Sequence, residues 1–361
     1  MSRVFVRAAA LASALAPDLD AAIGRLSGAP LVPAPCIEAG GLWPYFAIPT
    51  PPGDWMGRAE LLARGVAESL RRKAALPAGE WEQLPCIVGS SSHDVGARES
   101  EADPALRPPL EFARALAQWF GVQGPTIAAT SACTSGLTAL QVALDLIAAG
   151  AFRHALVLGV ELANRLTVAG FAGLGLLSAG SARPCDRSRD GLVLGEALGA
   201  VLLCASGPWR IGSLACGMDA SSLTGSAPDG EVIAQTMRAA LSGARWRAAD
   251  VDLVKLQAAG SPLGDLSEAR ALRALFSELP RTVSLKSAIG HTLGASGPAE
   301  LALLLGALDH GRVPATWAFA TPDAELGLAP SGGDAGALRR VLFNLSGFGG
   351  SVCAMTLERP G

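Results

Sequence analysis

Residues 130–137 read Thr-Ser-Ala-Cys-Thr-Ser-Gly-Leu and place Cys133 just before a run, 135–149, that is rich in Leu, Ala and Val and free of Pro. That run predicts a helix apolar nearly all round, as expected of a helix buried on every side. A thiol at the first turn of such a helix faces the positive end of the macrodipole and free backbone N–H groups. Both favour the thiolate, the form of cysteine that attacks carbonyl carbon. The competing reading of a lone cysteine is a small buried core residue.

Four further segments follow in order. The first is Arg-Pro-Cys-Asp-Arg-Ser-Arg-Asp-Gly-Leu-Val-Leu-Gly-Glu at 183–196, and the second Gln-Ala-Ala-Gly-Ser-Pro-Leu-Gly-Asp-Leu-Ser-Glu at 257–268. The third, Lys-Ser-Ala-Ile-Gly-His-Thr-Leu-Gly-Ala-Ser-Gly-Pro-Ala-Glu, spans 286–300, and the fourth, Asn-Leu-Ser-Gly-Phe-Gly-Gly, spans 344–350.

The elements that must position these segments are readable from apolar runs. Buried-type strands are expected at 86–89, 155–160, 200–205, 251–256, 282–285, 341–344 and 351–357, with a first strand at 4–6. Helical stretches fall at 55–72, 110–120, 135–149, 231–241, 266–276 and 298–309. Strands alternating with helices predict an α/β protein with mainly parallel, doubly covered sheets. The pattern restarts near Gly207-Pro208, which divides the chain into halves 1–205 and 206–361. Residues 219–230 and 321–337 read as polar or Gly/Pro-rich loops.

Composition narrows the class. The chain has 361 residues, 50% of them apolar, with 43 Gly and a net charge of −3. It is long enough for a large core, and its charge gives no general case for nucleic-acid binding. The seven cysteines (36, 86, 133, 185, 204, 216, 353) are scattered, with no Cys-x-x-Cys pair. Neither a zinc site nor a disulfide framework is supported, and a reducing cytoplasm fits best. Lysine occurs only at 73, 255 and 286, which reads as biased base composition rather than function. The N-terminus imitates a secretory signal, but Arg7 interrupts it, and Pro17-Asp18-Leu19-Asp20 opens a helix behind the first strand. No charge-free apolar run is long enough to cross a bilayer.

Taken together with Cys133, the four segments resemble the β-ketoacyl-acyl-carrier-protein synthases of the thiolase superfamily. The likeness runs from the strand near Val4 to the one ending near Leu357 and is weakest over about 30–85, where this chain is shortened. It implies a thiolase-like fold: two pseudo-repeated α/β halves in a five-layer αβαβα stack, working as a dimer, with the site where the halves meet. It also implies Cys133 as the acyl-accepting nucleophile, its own N–H and that of Phe348 as an oxyanion hole, and His291 as hydrogen-bond donor to a malonyl thioester. Gly347 and Gly349 belong to the turn that presents the Phe348 N–H at close range. Lys286 and Glu300 match a charged pair near the cysteine, and buried charges are costly unless paired. Asp186, Arg189 and Asp190 match a structural turn.

The departure is at 257. The family reads His-Gly-Thr-x-Thr there; this chain has Gln257, with Ala259 and Ser261 where threonines usually bond the pantetheine arm. Pro262, Leu263, Asp265 and Glu268 hold the register. Gln keeps an N–H donor but exchanges no proton near neutral pH. The resemblance therefore implies an acyltransferase of the 3-oxoacyl-acyl-carrier-protein synthase type, in fatty-acid or polyketide (including aryl-polyene) biosynthesis, working through acyl-Cys133 with weakened or specialised decarboxylative condensation. The alternative is a catalytically impaired subunit, like a chain length factor, in a heterodimer with a complete ketosynthase. A thiolase-like enzyme using free coenzyme A is a third, less well-matched reading. No permanently bound cofactor and no metal are expected, since substrates ride on the phosphopantetheine of an acyl carrier protein. That carrier is acidic, so its docking patch should be basic: Arg71, Arg72 and Lys73, or Arg183, Arg187 and Arg189.

Overall fold

Ten strands hydrogen-bond into one continuous sheet, in two blocks of five with the same internal order. In the computed structural model, which describes residues 3–51, 53–99 and 107–361, the strands are as follows. The first block holds β1 (Val4–Ser13), β2 (Cys86–Gly89), β3 (Thr126–Ala129), β4 (Ala155–Glu161) and β5 (Ala197–Cys204). The second holds β6 (Trp209–Met218), β7 (Leu253–Lys255), β8 (Arg281–Val283), β9 (Arg340–Ser346) and β10 (Ser351–Glu358). Their spatial order is β8-β7-β9-β10-β6-β1-β5-β4-β2-β3. Each block thus runs third, second, fourth, fifth, first. In both, the second strand is parallel to its two neighbours and the fifth antiparallel to its two. The blocks join where Val4, Phe5 and Val6 of β1 pair with Ile211, Arg210 and Trp209 of β6.

Central strands such as β4 and β5 are buried at every position, so both faces are covered and successive side chains serve different layers. Leu156 and Leu158 of β4 meet Leu62, Val66, Phe112 and Leu116 of the outer helices Trp55–Ala74 and Pro109–Trp119. Val157 turns the other way, into a core shared with Leu140, Leu301, Leu304 and the β9 residues Val341 and Phe343. That middle layer holds the helices Ser135–Ala148 and Ser296–Asp309. On the far face of the second block, the helices Glu231–Ala244 and Pro262–Leu275 pack Met237, Leu241 and Leu272 against Val254 and Leu342. The five layers expected from the resemblance are present.

The two middle helices meet without room for side chains. A Cβ on Gly136 would sit 2.3 Å from Cδ of Pro298, and one on Gly199 of β5 2.4 Å from the Ala299 nitrogen. This close approach, not any unusual dihedral, is why those positions are glycine.

Several expectations change. The helix after Cys133 is not buried on every side: Ser135, Gly136, Leu137, Ala139, Leu140, Ala143 and Ile147 are covered, while Asp145 and Ala148 are exposed. Its N-terminal turns enter the middle layer and its far end reaches the surface; β3 is one of the two edge strands of the sheet, β8 the other. β3 and β6 were not legible as strands, because β3 reads Thr-Ile-Ala-Ala, half of it alanine, a poor strand former, and β6 mixes Arg, Ser and Gly into its apolar positions. The helix expected from 266 begins at Pro262, where Ser261 caps it with its hydroxyl 3.4 Å from the Gly264 N–H. A strand pair at Ala34–Glu38 and Leu42–Phe46, with Leu194–Gly195 alongside, was also missed. The six described cysteines are free thiols, and Cys216 and Cys353 face one another across β6 and β10 with their sulfurs 3.0 Å apart. Met1, Ser2 and the side chain of Cys36 lie outside the described residues.

Adding one methyl at the helix crossing tests this packing. Gly136→Ala is expected to destabilise the fold by roughly 1–3 kcal/mol through overpacking, read as a lower urea midpoint at unchanged slope.

Candidate active site

Cys133 is presented by a strained turn. Ala132, just before it, has φ +50°, a left-handed conformation that non-glycine residues adopt at some energetic cost. Short bonds hold it: Ser131 N–H to Ser135 Oγ at 2.9 Å, Ser135 Oγ–H to the Ala132 carbonyl at 2.6 Å, and Thr134 Oγ1–H to the Ser131 carbonyl at 2.8 Å. The sulfur is 3% exposed and lines a cavity of about 160 Å³ together with Gln257, Ser261, His291, Gly347 and Phe348.

His291 Nε2 lies 3.2 Å from Cys133 Sγ, and Nδ1 lies 3.4 Å from Ser296 Oγ. The imidazole is placed by its backbone: His291 N–H donates to the Val193 carbonyl at 2.8 Å, and Gly195 N–H to the His291 carbonyl at 3.1 Å. The Gly191–Glu196 part of the first of the four segments is therefore the ledge that seats this histidine. Burial, with the charges of Lys286 and Lys255, holds its pKa well below the ordinary value, so the ring is neutral.

The expectation of a lowered thiol pKa is corrected. Burial pushes Cys133 up to about 11, outweighing the N–H of Phe348, the charge of Lys286 and its own N–H, which pull it down, while Glu161 pushes it further up. A helix N-terminus offsets only part of the desolvation of a sulfur this enclosed. The N–H groups of Phe348 and Cys133 nevertheless lie against the sulfur, within reach of the oxygen of a carbonyl bonded to it. A Cβ on Gly347 would lie 3.0 Å from the Cys133 nitrogen, so a side chain there would press on the backbone of the nucleophile's turn. Gly349, at φ +74°, donates its N–H to the Leu223 carbonyl at 2.9 Å. The Phe348 ring stacks on Phe171, centroids 4.9 Å apart.

Two buried carboxylates fasten the 257 segment. Glu268 accepts from the N–H groups of Gln257 (2.7 Å) and Ala258 (2.8 Å) and from Asn344 Nδ2 (2.6 Å). Asp265 accepts from Ala259 N–H at 3.0 Å and Cys185 N–H at 2.8 Å, and burial raises its pKa to about 7. Gln257 Oε1 is buried without a partner. Ser261 lines the cavity while also capping its helix. Asp186 is a turn residue, accepting from Ser188, Ala320 and Thr321.

Lys286 and Glu300 are paired but do not line the cavity; they lie behind it, fully buried, and share Glu300 with Lys255, whose Nζ is 2.6 Å from Oε2. Lys255 was missed, although a lysine inside the apolar stretch Val-Asp-Leu-Val-Lys-Leu signals a buried partner. Glu161 was missed too. It ends β4 and accepts from Ser90 Oγ (2.7 Å), Ser92 N–H (2.9 Å) and Gly294 N–H (3.2 Å), tying the first block to the His291 loop. The loop residues Ser222, Thr224 and Ser226, read only as polar linker, line the cavity mouth. Among the described residues, no group of three or more His, Cys, Asp or Glu could hold a metal ion. No helix among them is long and apolar enough to cross a membrane.

Comparison with known proteins decides the family. The N-terminal domain model of beta-ketoacyl synthase matches residues 109–206 and the C-terminal domain model matches 210–320. The chain belongs to the beta-ketoacyl synthase family. The tetracenomycin polyketide synthase ketoacyl synthase alpha subunit of Streptomyces glaucescens is 33% identical over 274 residues, 70% of this chain and 64% of that protein. A relative from Streptomyces halstedii is 33% identical over 306 residues, 78% of this chain and 72% of its own. The 3-oxoacyl-[acyl-carrier-protein] synthase 2 of Mycobacterium bovis is 29% identical over 84% of this chain and 81% of that protein. This chain thus spans just under two thirds of the Streptomyces glaucescens subunit, at 64%. Among solved structures, a beta-ketoacyl synthase from Burkholderia phymatum superposes over all of both chains with a TM-score of 0.87 at 24% identity. A ketosynthase in complex with its chain length factor, from Xenorhabdus doucetiae, gives 0.83 at 21% identity over 99% of this chain and 98% of that one. Both establish the shared fold.

A thiol raised from 9.0 to about 11 should be sluggish at rest. Alkylation of Cys133 by iodoacetamide at pH 7 is expected to run roughly a hundredfold slower than that of a free cysteine, and to climb as pH rises toward 11. Peptide mass spectrometry of the modified thiol measures both.

Proposed function

We propose that this protein is a ketosynthase-type acyltransferase acting on acyl-carrier-protein thioesters in fatty-acid or polyketide biosynthesis. The observation that carries the reading is the 3.2 Å contact between Cys133 Sγ and His291 Nε2, in one cavity with Gln257 and the glycine turn at Phe348. In the first step the Cys133 sulfur attacks the thioester carbonyl, whose oxygen takes the negative charge and is held by the N–H groups of Cys133 and Phe348. The tetrahedral adduct collapses, the carrier's pantetheine thiol leaves with the proton, and the acyl group stays on Cys133. In the second step a malonyl thioester loses carbon dioxide, and His291 and Gln257 donate hydrogen bonds to the oxygen of the enolate before its carbon attacks acyl-Cys133; the acyl–sulfur bond breaks, the extended acyl chain leaves on the carrier, and the Cys133 thiolate takes up a proton from solvent.

Gln257 stands where the resemblance has histidine. Losing an oxyanion donor typically costs about 2.7–4 kcal/mol, or roughly a hundred- to thousandfold in rate; an amide N–H keeps part of that. Acyl transfer, which relies on Cys133 and the two backbone donors, survives better than decarboxylation. The exposed arginines 183 and 187 suit an acidic carrier, since the Arg183 backbone adjoins Gly260, next to Ser261 at the cavity. Arg189 is instead paired with Asp323 at 2.5 Å. On the other candidate surface Arg72 pairs with Glu68, Lys73 with Asp20, and Arg71 lies over Trp81. The open edge of β3 suits a dimer partner, a second copy or a complete ketosynthase. A cytoplasmic location and the division into halves 1–205 and 206–361 belong to the same proposal.

A second reading is a chain-length-factor-like subunit, favoured by Gln257 and Ala259 at the positions where the resemblance expects histidine and threonine. Intact-mass spectrometry after mixing with acyl- and malonyl-loaded carrier protein separates the two. An acyl adduct on wild type, absent in Cys133→Ala, is the expected result; no adduct, with altered product length in a mixed dimer, would establish the subunit instead. Gln257→His is expected to raise carbon dioxide release by roughly tenfold to a hundredfold, measured with labelled malonyl carrier.

A further inference from the structure

Two of the chain's three lysines converge on one carboxylate. Lys255 Nζ, from the end of β7, lies 2.6 Å from Glu300 Oε2, and Lys286 Nζ contacts Oε1; all three side chains are fully buried. The Phe343 ring lies 4.0 Å beneath the Lys255 ammonium, an attractive cation–π contact. Two cations on one anion leave a positive surplus, and the full burial of all three side chains shuts it off from screening by bulk solvent. The other carboxylates facing the cluster act on it at longer range and pair with neither lysine. Glu268, from the helix Pro262–Leu275, holds the Gln257 and Ala258 N–H groups and Asn344. Glu161, at the end of β4, holds the serines at 90–92 and Gly294.

We infer that Lys255 is a positioning residue of this site: by taking the second oxygen of Glu300 it keeps that carboxylate from cancelling Lys286, and so leaves a buried positive charge beside Cys133 and His291 that favours anions at the sulfur. The surplus is felt at both groups. Lys286 pulls the Cys133 thiol down against its burial, and Lys286 and Lys255 add to burial in holding the His291 pKa well below the ordinary value. Burial and Lys286 lower Lys255 itself to about 8, against Glu300 and Glu268, which raise it. The surplus is therefore complete below about pH 8 and fades as pH rises through it. Two residues before Gln257, the chain thus carries a fixed charge that offsets part of what the amide lacks as a donor.

The inference rests on Cys133 as nucleophile, but its test does not use acyl transfer. The probe is iodoacetamide, with the Cys133 rate followed by peptide mass spectrometry between about pH 6 and 9 on wild type, Lys255→Met and Lys255→Arg. Removing the charge is expected to slow alkylation roughly tenfold at pH 7, equivalent to about one pKa unit, while Arg keeps the rate within about twofold. In wild type the slope of log rate against pH should flatten above about 8, and in Lys255→Arg, whose guanidinium does not titrate there, it should not. A folded Lys255→Met chain with the wild-type profile would reduce the triad to a structural ion pair and overturn the inference. Where Lys255→Met does not fold, a wild-type profile that runs straight through pH 8 overturns it equally. A chain with the expected charge dependence that takes no acyl group would sink the transfer proposal alone.

Discussion

The site depends on how closely the two middle-layer helices approach. Gly136 and Pro298 meet where no Cβ fits, and each helix carries a functional residue just before its first turn. Cys133 stands two residues ahead of the helix Ser135–Ala148, and His291 five ahead of Ser296–Asp309. Bringing the helix starts into van der Waals contact is what reduces a sequence separation of 158 residues to 3.2 Å. The repeated strand order of the two blocks supplies the symmetry that puts both helices in one layer. A packing constraint in the core and the chemistry at its edge are one arrangement.

Around that crossing, the loops are clamped by buried carboxylates accepting backbone N–H groups. Glu161 holds 90–92 and 294, Asp265 holds 185 and 259, Glu268 holds 257 and 258, and Glu196 holds the N–H groups of Ile48 (2.8 Å) and Ala163 (2.7 Å) while pairing with Arg58. Such charge-assisted bonds are stronger than neutral ones and fix loop geometry in low dielectric. Most acidic residues in the motifs therefore position backbone rather than touch substrate.

This explains which parts were legible in the sequence. Cys133, His291 and the Gly-Phe-Gly-Gly turn were readable because their chemistry demands particular side chains or the absence of one. The middle-layer and outer helices were readable because long apolar periodicity survives every local accident. The edge strand Thr126–Ala129 was not, since Thr-Ile-Ala-Ala is half alanine and lacks the β-branched run that marked Cys86–Gly89. The role of Lys255 was not, because its partner Glu300 lies 45 residues away and only the fold brings them together. The thiol pKa was misread for a related reason: the helix terminus is a local feature visible in sequence, whereas desolvation sums over everything that closes on the sulfur.

That resting thiol has a consequence for catalysis. Transfer of its proton to His291 would create an ion pair in a cavity where burial and two lysines already oppose a charged imidazole. The sulfur therefore stays protonated until something changes the balance. On the proposed reading an entering thioester does so by giving the negative charge a better home: as the sulfur bonds to the carbonyl its proton passes to His291 Nε2, 3.2 Å away, the matching negative charge sits on an oxygen facing the N–H groups of Cys133 and Phe348, and the departing pantetheine sulfur takes the proton. Stabilisation thus arises in the transition state more than in the free enzyme, the condition under which binding interactions accelerate a reaction. The same logic separates the two half-reactions. On the proposed mechanism, attack by Cys133 draws on donors that are backbone and fixed, so a change at 257 would barely reach it. Enolate formation draws on side-chain donors at 257 and 291, and a glutamine can polarise that oxygen without managing a proton.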